Sequence, residues 1–397
     1  MNLSQKFPLG TLFLLSAALF VASTTEFLPI ALLSPIADDL DVSTAAVGQL
    51  VTVFALSIVA FSIPLTVLTQ RVPPKPLLLG TLCGIALMAV LSGVAPNFAL
   101  LAIARLIGGG LHGLCAATTI AIMGAVVPHK QLGRAIAVTT AGSALTFIIG
   151  IPLPAVLAHV VGWRAVFLFS ALTIVTTAAL LAWRLPHISP HPVLTHETKP
   201  HWLRDRELWV LLGVTVLAVG TLAGQFSLYT YIAPWMTEAL GASVAEVPLQ
   251  LFAFGTASGV AVLFVTPLAD LAPRTAFVTA AAVAISCVAA LALLPMDAGL
   301  RLAAFALWGL AYGGMPGLLH AQLMRAASPR RRRLAGALQA MGGNVGLAAG
   351  SMVGGMVIDA GGTAQLPWVM LVSYGTVIVA VALSAIRRGD GRTGEPP

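Results

Sequence analysis

Three ionisable side chains stand where an apolar helix would be expected to carry none. Glu26 is the one charge in the run from Leu9 to Leu33, Arg105 interrupts the apolar run 98–123, and His112 follows Arg105 by seven residues. A charge at bilayer depth costs about 2.5–3.5 kcal/mol on insertion scales, so such a group is turned inward and is by default functional. A carboxylate whose surroundings alternate between wet and dry gains and loses a proton with each change, which is the chemistry that proton coupling requires. One charge crossing 100 mV is worth about 2.3 kcal/mol, enough for a roughly 45-fold gradient of a neutral solute at 1.4 kcal/mol per decade. The competing reading is a static Glu26–Arg105 pair that holds two helices together.

The elements that would position these groups follow from composition. Of 397 residues, 58% are hydrophobic and 9% charged, against about 25% charged in soluble proteins. Twelve apolar runs recur, at 9–33, 45–68, 77–95, 98–123, 135–157, 165–185, 208–234, 247–269, 276–294, 302–322, 335–358 and 367–386. Each is long enough for the roughly 20 helical residues that cross a bilayer. This predicts an all-α membrane protein of twelve transmembrane helices. The first run exceeds a signal-peptide core and eleven more follow it, so it reads as a span. Cys83, Cys115 and Cys287 all fall inside spans and read as small packing residues rather than a disulfide framework. With the N-terminus inside, all of the 21 Lys and Arg except Arg105, Arg164 and Arg301 fall in inward segments, the positive-inside pattern. Both termini are then cytoplasmic, and the run Arg330 to Arg333 is a topology signal rather than a nucleic-acid patch.

The longest polar interval, Pro186 to Glu207, divides the spans six and six. The expected organisation is an N-terminal half 1–185, a cytoplasmic linker 186–207 and a C-terminal half 208–397. His187, His191, His196 and His201 cluster in the linker; without cysteines or a defined ligand geometry they predict no metal site. At an offset near 200 residues the halves match in several places. "TTEFLP" meets "YTYIAP", which sets Glu26 opposite Tyr231, with Pro29 and Pro234 following. "PLTVLTQR" meets "PLADLAPR", aligning Arg71 with Arg274. Gly109 and Gly113 meet Gly309 and Gly313, with His112 opposite Tyr312, and Gly142 and Gly150 meet Gly342 and Gly350. Two parallel six-helix repeats follow, with a substrate site near the midplane. Small residues at four-residue spacing, Gly317, Gly346 and Gly354 among them, let helices approach closely in lipid.

Glu26 and Arg105 each lie about seven residues, roughly 10 Å at 1.5 Å per residue, from the outer end of their spans. Pro29 has no N–H for the Thr25 carbonyl, which frees an acceptor beside Glu26 and bends the helix. Arg105 and His112 share one helix face, and Gly108 and Gly109 between them predict open volume. In the second half Tyr231 and Tyr312 stand at the matching points, and Gln225, Tyr229, Trp308, Gln339 and Asn344 add hydrogen-bonding or aromatic groups. Such a surface suits an uncharged or amphipathic organic molecule. Tyr229 and Tyr231 have a second reading as interfacial anchors.

With "TTEFLP" and "LSPIADDLDVS", "RLIGGGLHG", "GSALTFIIGIPLP" with "GWRAVF", and "YTYIAP", the chain resembles the major facilitator superfamily. Within it the chain is similar to the twelve-helix drug:proton antiporters, nearest the sugar-efflux branch. The resemblance covers essentially the whole chain. It implies alternating access by two rocking halves, with Glu26 as the span 1 acid and Arg105 as the span 4 arginine. It also implies Gly142, Gly150 and Pro152 as the span 5 antiporter motif. Gln70 stands where the family has an acid before the loop arginine, here Arg71, and Pro154 stands where the branch has glycine.

The expected function is export of a small-molecule substrate in exchange for protons across the inner (plasma) membrane, by a monomer in the lipid bilayer. Glu26, Arg105 and His112 would couple protons, and Glu26, His112 and the second-half polar and aromatic set would bind substrate. Pro29, Arg71, Gly142, Gly150, Pro152, Asp270 and Arg274 would serve the conformational change. No cofactor, metal or nucleic-acid partner is expected. A facilitator or importer of the same fold is the alternative. A membrane enzyme is the remote one: "DDLD", Asp38 to Asp41, lacks a second acidic cluster and a nucleophile, and no GxSxG, HExxH or phosphate loop is present.

Overall fold

A helix that is apolar on all sides has no face to give to water and is stable only within protein or lipid. The computed structural model describes residues 9–127, 131–185, 205–328 and 331–389, with the backbone alone at 132–134, 136, 137, 140, 263–271, 333 and 384–389. Every regular element among them is helical. Eleven of these helices are long and apolar enough to cross a membrane. Phe13, Leu68, Val160, Trp183, Val216 and Val372 are each more than half exposed, an apolar exterior that water would not tolerate on this scale.

The chain divides into two compact units, Met1–Thr198 and Lys199–Pro397. The first holds α1 (Leu9–Ala31), α2 (Leu33–Leu40), α3 (Thr44–Leu68), α4 (Pro74–Gly93), α5 (Phe98–Val126) and α6 (Leu132–Leu145). A π-helical turn, Thr146–Gly150, then leads into α7 (Pro152–Arg184). The second holds α8 (Arg206–Tyr229), the single turn α9 (Ile232–Pro234) with a π-helical turn Trp235–Ala239, α10 (Val247–Leu271), α11 (Pro273–Leu293), α12 (Ala298–Ala326), α13 (Arg332–Gly361) and α14 (Leu366–Gly389). Arg206 and Glu207, read from sequence as the end of the linker, form the first turn of α8, capped by the Asp205 carboxylate on the Glu207 and Leu208 amides. The histidine-bearing part of the linker lies outside the described residues.

Each unit pairs its helices in the same pattern. In the first, α1 packs on α6, α3 and α4 pack on α5, and α4 packs on α7. In the second, α8 packs on α13, α10 and α11 on α12, and α11 on α14. The core of the first unit runs through Leu12, Leu15, Leu82, Cys115, Ile174 and Leu181, which come from α1, α4, α5 and α7. Cys115 and Cys287 are buried, whereas Cys83 lies on an exposed face and packs no core.

The fifth apolar run breaks at the π turn and Pro152, and α7, whose range spans the end of the fifth run and the sixth, is two helical segments that meet at Gly162, in the interval the sequence left between the runs. Within α7, Gly162 is non-helical at φ 79°, ψ 157°, a region that glycine enters without steric cost. Leu153 and Ser170 line one cavity, as do Leu157 and Val166. In a straight helix Leu153 and Ser170 would stand roughly 25 Å apart at 1.5 Å per residue. The chain therefore doubles back at Gly162.

Small residues set the closest approaches. A Cβ on Gly109 would meet the Phe54 carbonyl, and one on Gly309 the Phe254 carbonyl, so α5 lies against α3 as α12 lies against α10. Ser57 Oγ donates to the Leu106 carbonyl and Ser258 Oγ to the Gly309 carbonyl across these contacts. Gly317, also on α12, faces open space. Gly309→Ala should therefore cost about 1–3 kcal/mol through overpacking and lower the melting midpoint of the purified protein. Gly317→Ala should leave the midpoint unchanged or slightly higher. Equal effects in a thermal melt would dissociate the glycine pattern from packing.

The two arginines that the charge pattern left in outer loops are both neutralised within their own unit. Arg164 pairs with Asp39, which also accepts from Trp163 Nε1 at 3.2 Å, and donates to the Ala95 carbonyl at 3.0 Å. Hydrogen bonding to Arg164 holds the Asp39 carboxyl below its usual range. Arg301 pairs with Glu246 at 2.7 Å and donates to the Leu240 and Met296 carbonyls.

Candidate functional site

Pro29 lies inside α1, and the carbonyl it leaves without an amide partner is Thr25. Arg105 fills that position from α5: Nη1 donates to the Thr25 carbonyl at 2.7 Å and Nη2 to the Glu26 carbonyl at 2.5 Å. Its Cζ lies 4.1 Å from the centre of the Phe54 ring, within cation–π range. The guanidinium is thus bound to the main chain of α1 and not to the Glu26 carboxylate. That carboxylate instead faces His112, with Nε2 3.5 Å from Oε2. Glu26 is 7% exposed, Arg105 2% and His112 8%.

The open volume expected beside Gly108 is filled. The Phe54 ring comes within 3.5 Å of where a Gly108 Cβ would be, and meets the His112 ring edge-on at 5.5 Å. The reason is the close α3–α5 approach at Gly109, which delivers Phe54 into the gap between Arg105 and His112. The cluster is a buried carboxylate with an imidazole on one side, an aromatic wall, and a cation held just behind on the backbone. Chemically it can take up and release a proton at Glu26, because its neighbouring cation already has other acceptors.

The second unit shows what stands at the equivalent place. A Cβ on Gly142 would meet Ser16 and one on Gly150 would meet Thr24; one on Gly342 would meet Thr215 and one on Gly350 Ala223. The offset relating Ser16 to Thr215 and Thr24 to Ala223 relates Glu26 to Gln225. The sequence alignment of Glu26 with Tyr231 is therefore corrected. It matched the proline-bearing ends of α1 and α8 and not the packing register that the glycines fix. Tyr231 is tied to α13, its hydroxyl donating to the Ser351 carbonyl at 2.7 Å.

Gln225 is fully buried. Its Oε1 accepts from Trp308 Nε1 at 3.2 Å and from the Tyr374 hydroxyl at 3.1 Å, and its Nε2 has no partner. Around it Tyr229 packs on Phe254, ring centres 4.9 Å apart, and Phe254 packs on Trp308 and stacks on Tyr312. Within the second unit the fold thus gathers Gln225, Tyr229, Trp308 and Tyr312 into one cluster.

The major facilitator superfamily family model matches residues 15–233 and 214–397. The chain belongs to the major facilitator superfamily. Among curated relatives it is 30% identical to a probable sugar efflux transporter of Helicobacter pylori strain HPAG1, over 89% of this chain and 90% of the relative. It is also 30% identical to an uncharacterized MFS-type transporter, YfhI, of Bacillus subtilis strain 168, over 96% of this chain and 94% of the relative. Among solved structures it shares its fold with a mutant of the nucleoside transporter NupG, at TM-score 0.73 and 15% identity, covering 94% of this chain and 98% of that one. Within the superfamily the similarity is to the sugar-efflux branch.

In this superfamily member the remaining residues singled out from sequence lie apart from the two clusters. Gly142 brings α6 against Ser16 of α1, Gly150, the last residue of the π turn, meets Thr24 of α1, and Pro152 begins α7. Gln339 and Asn344 are half-buried on α13, and Asn344 Nδ2 donates to the Ala340 carbonyl of its own helix. Arg71 is exposed after α3, Arg274 is exposed in the first turn of α11, and the Asp270 side chain lies outside the described residues. Sequence reasoning missed Phe54, Phe254 and Tyr374. The first two had a legible signal, since they match at the same offset as Gly109 and Gly309. Tyr374 had none, because nothing in α14 marks which face meets Gln225.

Proposed function

We propose that this protein is a secondary active transporter that exports a small organic molecule in exchange for protons by alternating access. It would do so as a monomer with twelve transmembrane helices, six in each half (1–185 and 208–397, joined by 186–207), both termini cytoplasmic, in the inner membrane. The doubling back at Gly162 supports the twelfth span. The observation that carries the reading is a buried Glu26 whose carboxylate meets His112 while Arg105 is spent on carbonyls. A static structural pair would place the guanidinium on the carboxylate, the arrangement with the stronger charge-assisted bonds. In this reading Glu26 carries the proton, His112 exchanges it, and Arg105 fixes the kinked segment on which Glu26 rides.

Gln225, Tyr229, Trp308 and Tyr312 are the proposed substrate contacts in the second half. Neutral amide and aromatic groups recognise hydroxyl-rich or planar neutral molecules, which agrees with the sugar efflux named for the relatives. The test is uptake of labelled sugars and nucleosides into everted vesicles, with and without a protonophore. Accumulation that collapses with the protonophore is the expected result. Equilibration that proceeds unchanged without a pH gradient or membrane potential would make the protein a facilitator instead.

A further inference from the structure

The Arg105 guanidinium holds two neutral carbonyls, and its Nε is buried with no partner. A carboxylate is the stronger acceptor for such a cation, and the Glu26 carboxylate belongs to the very residue whose carbonyl Nη2 bonds. Something must hold the two charges apart. The ring of Phe54 is placed to do so. It lies 4.1 Å from Arg105 Cζ, meets the His112 ring edge-on at 5.5 Å, and takes the volume beside Gly108. Arg105 and His112 share one face of α5, and the carboxylate stands at the His112 end of it. A guanidinium that left its carbonyls for that carboxylate would have to enter the space that the ring fills.

The second unit separates this role from packing. The carbonyls of Phe54 and Phe254 meet Gly109 and Gly309 at one offset, which sets Phe305 opposite Arg105 and Trp308 opposite Gly108. There Phe254 packs on Trp308, ring centres 5.0 Å apart, and stacks on Tyr312. A ring at this register serves the fold in both units, and glycine at 108 admits it between a cation and an imidazole in the first. We infer that Phe54 is a positioning residue that keeps the Arg105 guanidinium on the main chain of α1 and so leaves the Glu26 carboxylate free to exchange its proton. The inference rests on the reading of Glu26 as the proton carrier. Among the described residues, Arg105 and His112 are the ionisable groups that face Glu26. The α3 helix and the π turn contain none. Asp39 pairs with Arg164, Lys75 donates to the Leu185 carbonyl, Arg184 lies over Trp183, and Cys115 packs in the core. Asp38, Cys83 and His159 are exposed, and the Arg134 side chain lies outside the described residues.

The experiment is an infrared pH titration of the full-length protein in liposomes, reading the protonated-carboxyl band that Glu26→Gln abolishes. At the pH where the wild-type band stands at half its height, Phe54→Leu should weaken it about fivefold or more, because an arginine that reaches a carboxylate favours the charged form. Phe54→Tyr keeps the ring and should keep the band. Water entering through the gap would weaken the band too, and an Arg105→Gln background separates the two causes. There, at the half-height pH of Arg105→Gln itself, adding Phe54→Leu should leave the band as it was, since no guanidinium remains to move. Equal weakening in both backgrounds, or an unchanged band in Phe54→Leu, would overturn the inference and leave Glu26 as the carrier. Absence at every pH of a band that Glu26→Gln removes would overturn the inference together with the proton-carrier reading. If Phe54→Leu does not fold, Phe54→Met supplies similar volume without a ring and carries the same expectation.

Discussion

Everted vesicles carrying Glu26→Gln should equilibrate substrate and never concentrate it. On the proposed exchange of one proton per substrate, 100 mV sustains a gradient of roughly 45-fold in the wild type, and the variant should fall to a ratio of about one. The substitution is nearly isosteric and removes the titratable group alone. Neither Arg105 bond is lost with it, because both run to backbone carbonyls that remain. Gln at this place also has a precedent within the chain, since Gln225 occupies the matching position in the second unit and is accommodated there fully buried. Retention of the wild-type melting midpoint would separate loss of coupling from loss of fold. A variant that still accumulates substrate against its gradient would remove Glu26 as the carrier.

The second large effect concerns Arg105 and Pro29 together. Arg105→Ala strips the donors from the Thr25 and Glu26 carbonyls, and each buried group left unpaired costs about 1–3 kcal/mol. It also removes the stack on Phe54. The Thr25 carbonyl needs Arg105 because Pro29 offers no amide hydrogen. Pro29→Ala restores that hydrogen, so part of the cost should vanish in the double variant. A coupling of about 1 kcal/mol or more in the double-mutant cycle, of the size found for residues sharing one hydrogen-bond network, is the expected outcome in unfolding of the detergent-solubilised protein. Additive effects would mean that the arginine does not substitute for the missing amide. Arg105→Lys should fall between, since an ammonium is a point donor and lacks the fork that reaches two carbonyls.

Much of the fold was legible because lipid imposes a simple demand. Apolar runs long enough to cross, each folded as a helix, are consequences of burying backbone in hydrocarbon. The glycine matches were legible for a related reason, because a helix that must touch another backbone can carry no side chain there, and Gly109 and Gly309 are such positions. The boundary between the fifth and sixth runs was less so. The sequence placed it in the interval 158–164, where Gly162 reverses the chain, but the π turn and Pro152 that break the fifth run carry no hydropathy signal.

The site was legible in its cast and not in its pairings. Glu26, Arg105 and His112 declare themselves by charge in an apolar setting, and Pro29 declares the Thr25 carbonyl. By itself the sequence determined that an acid, a cation and an orphaned acceptor lie at similar depth in the first half, with an imidazole two helical turns further along the face that carries the cation. Only the tertiary structure decided that the cation takes the orphaned acceptor, that Phe54 fills the space beside Gly108, and that Gln225 is the counterpart of Glu26. The physical reason is that depth along a helix is a one-dimensional quantity read from residue counts, whereas partnership depends on the rotation and register of neighbouring helices. Those are fixed by side chains that meet from distant parts of the chain.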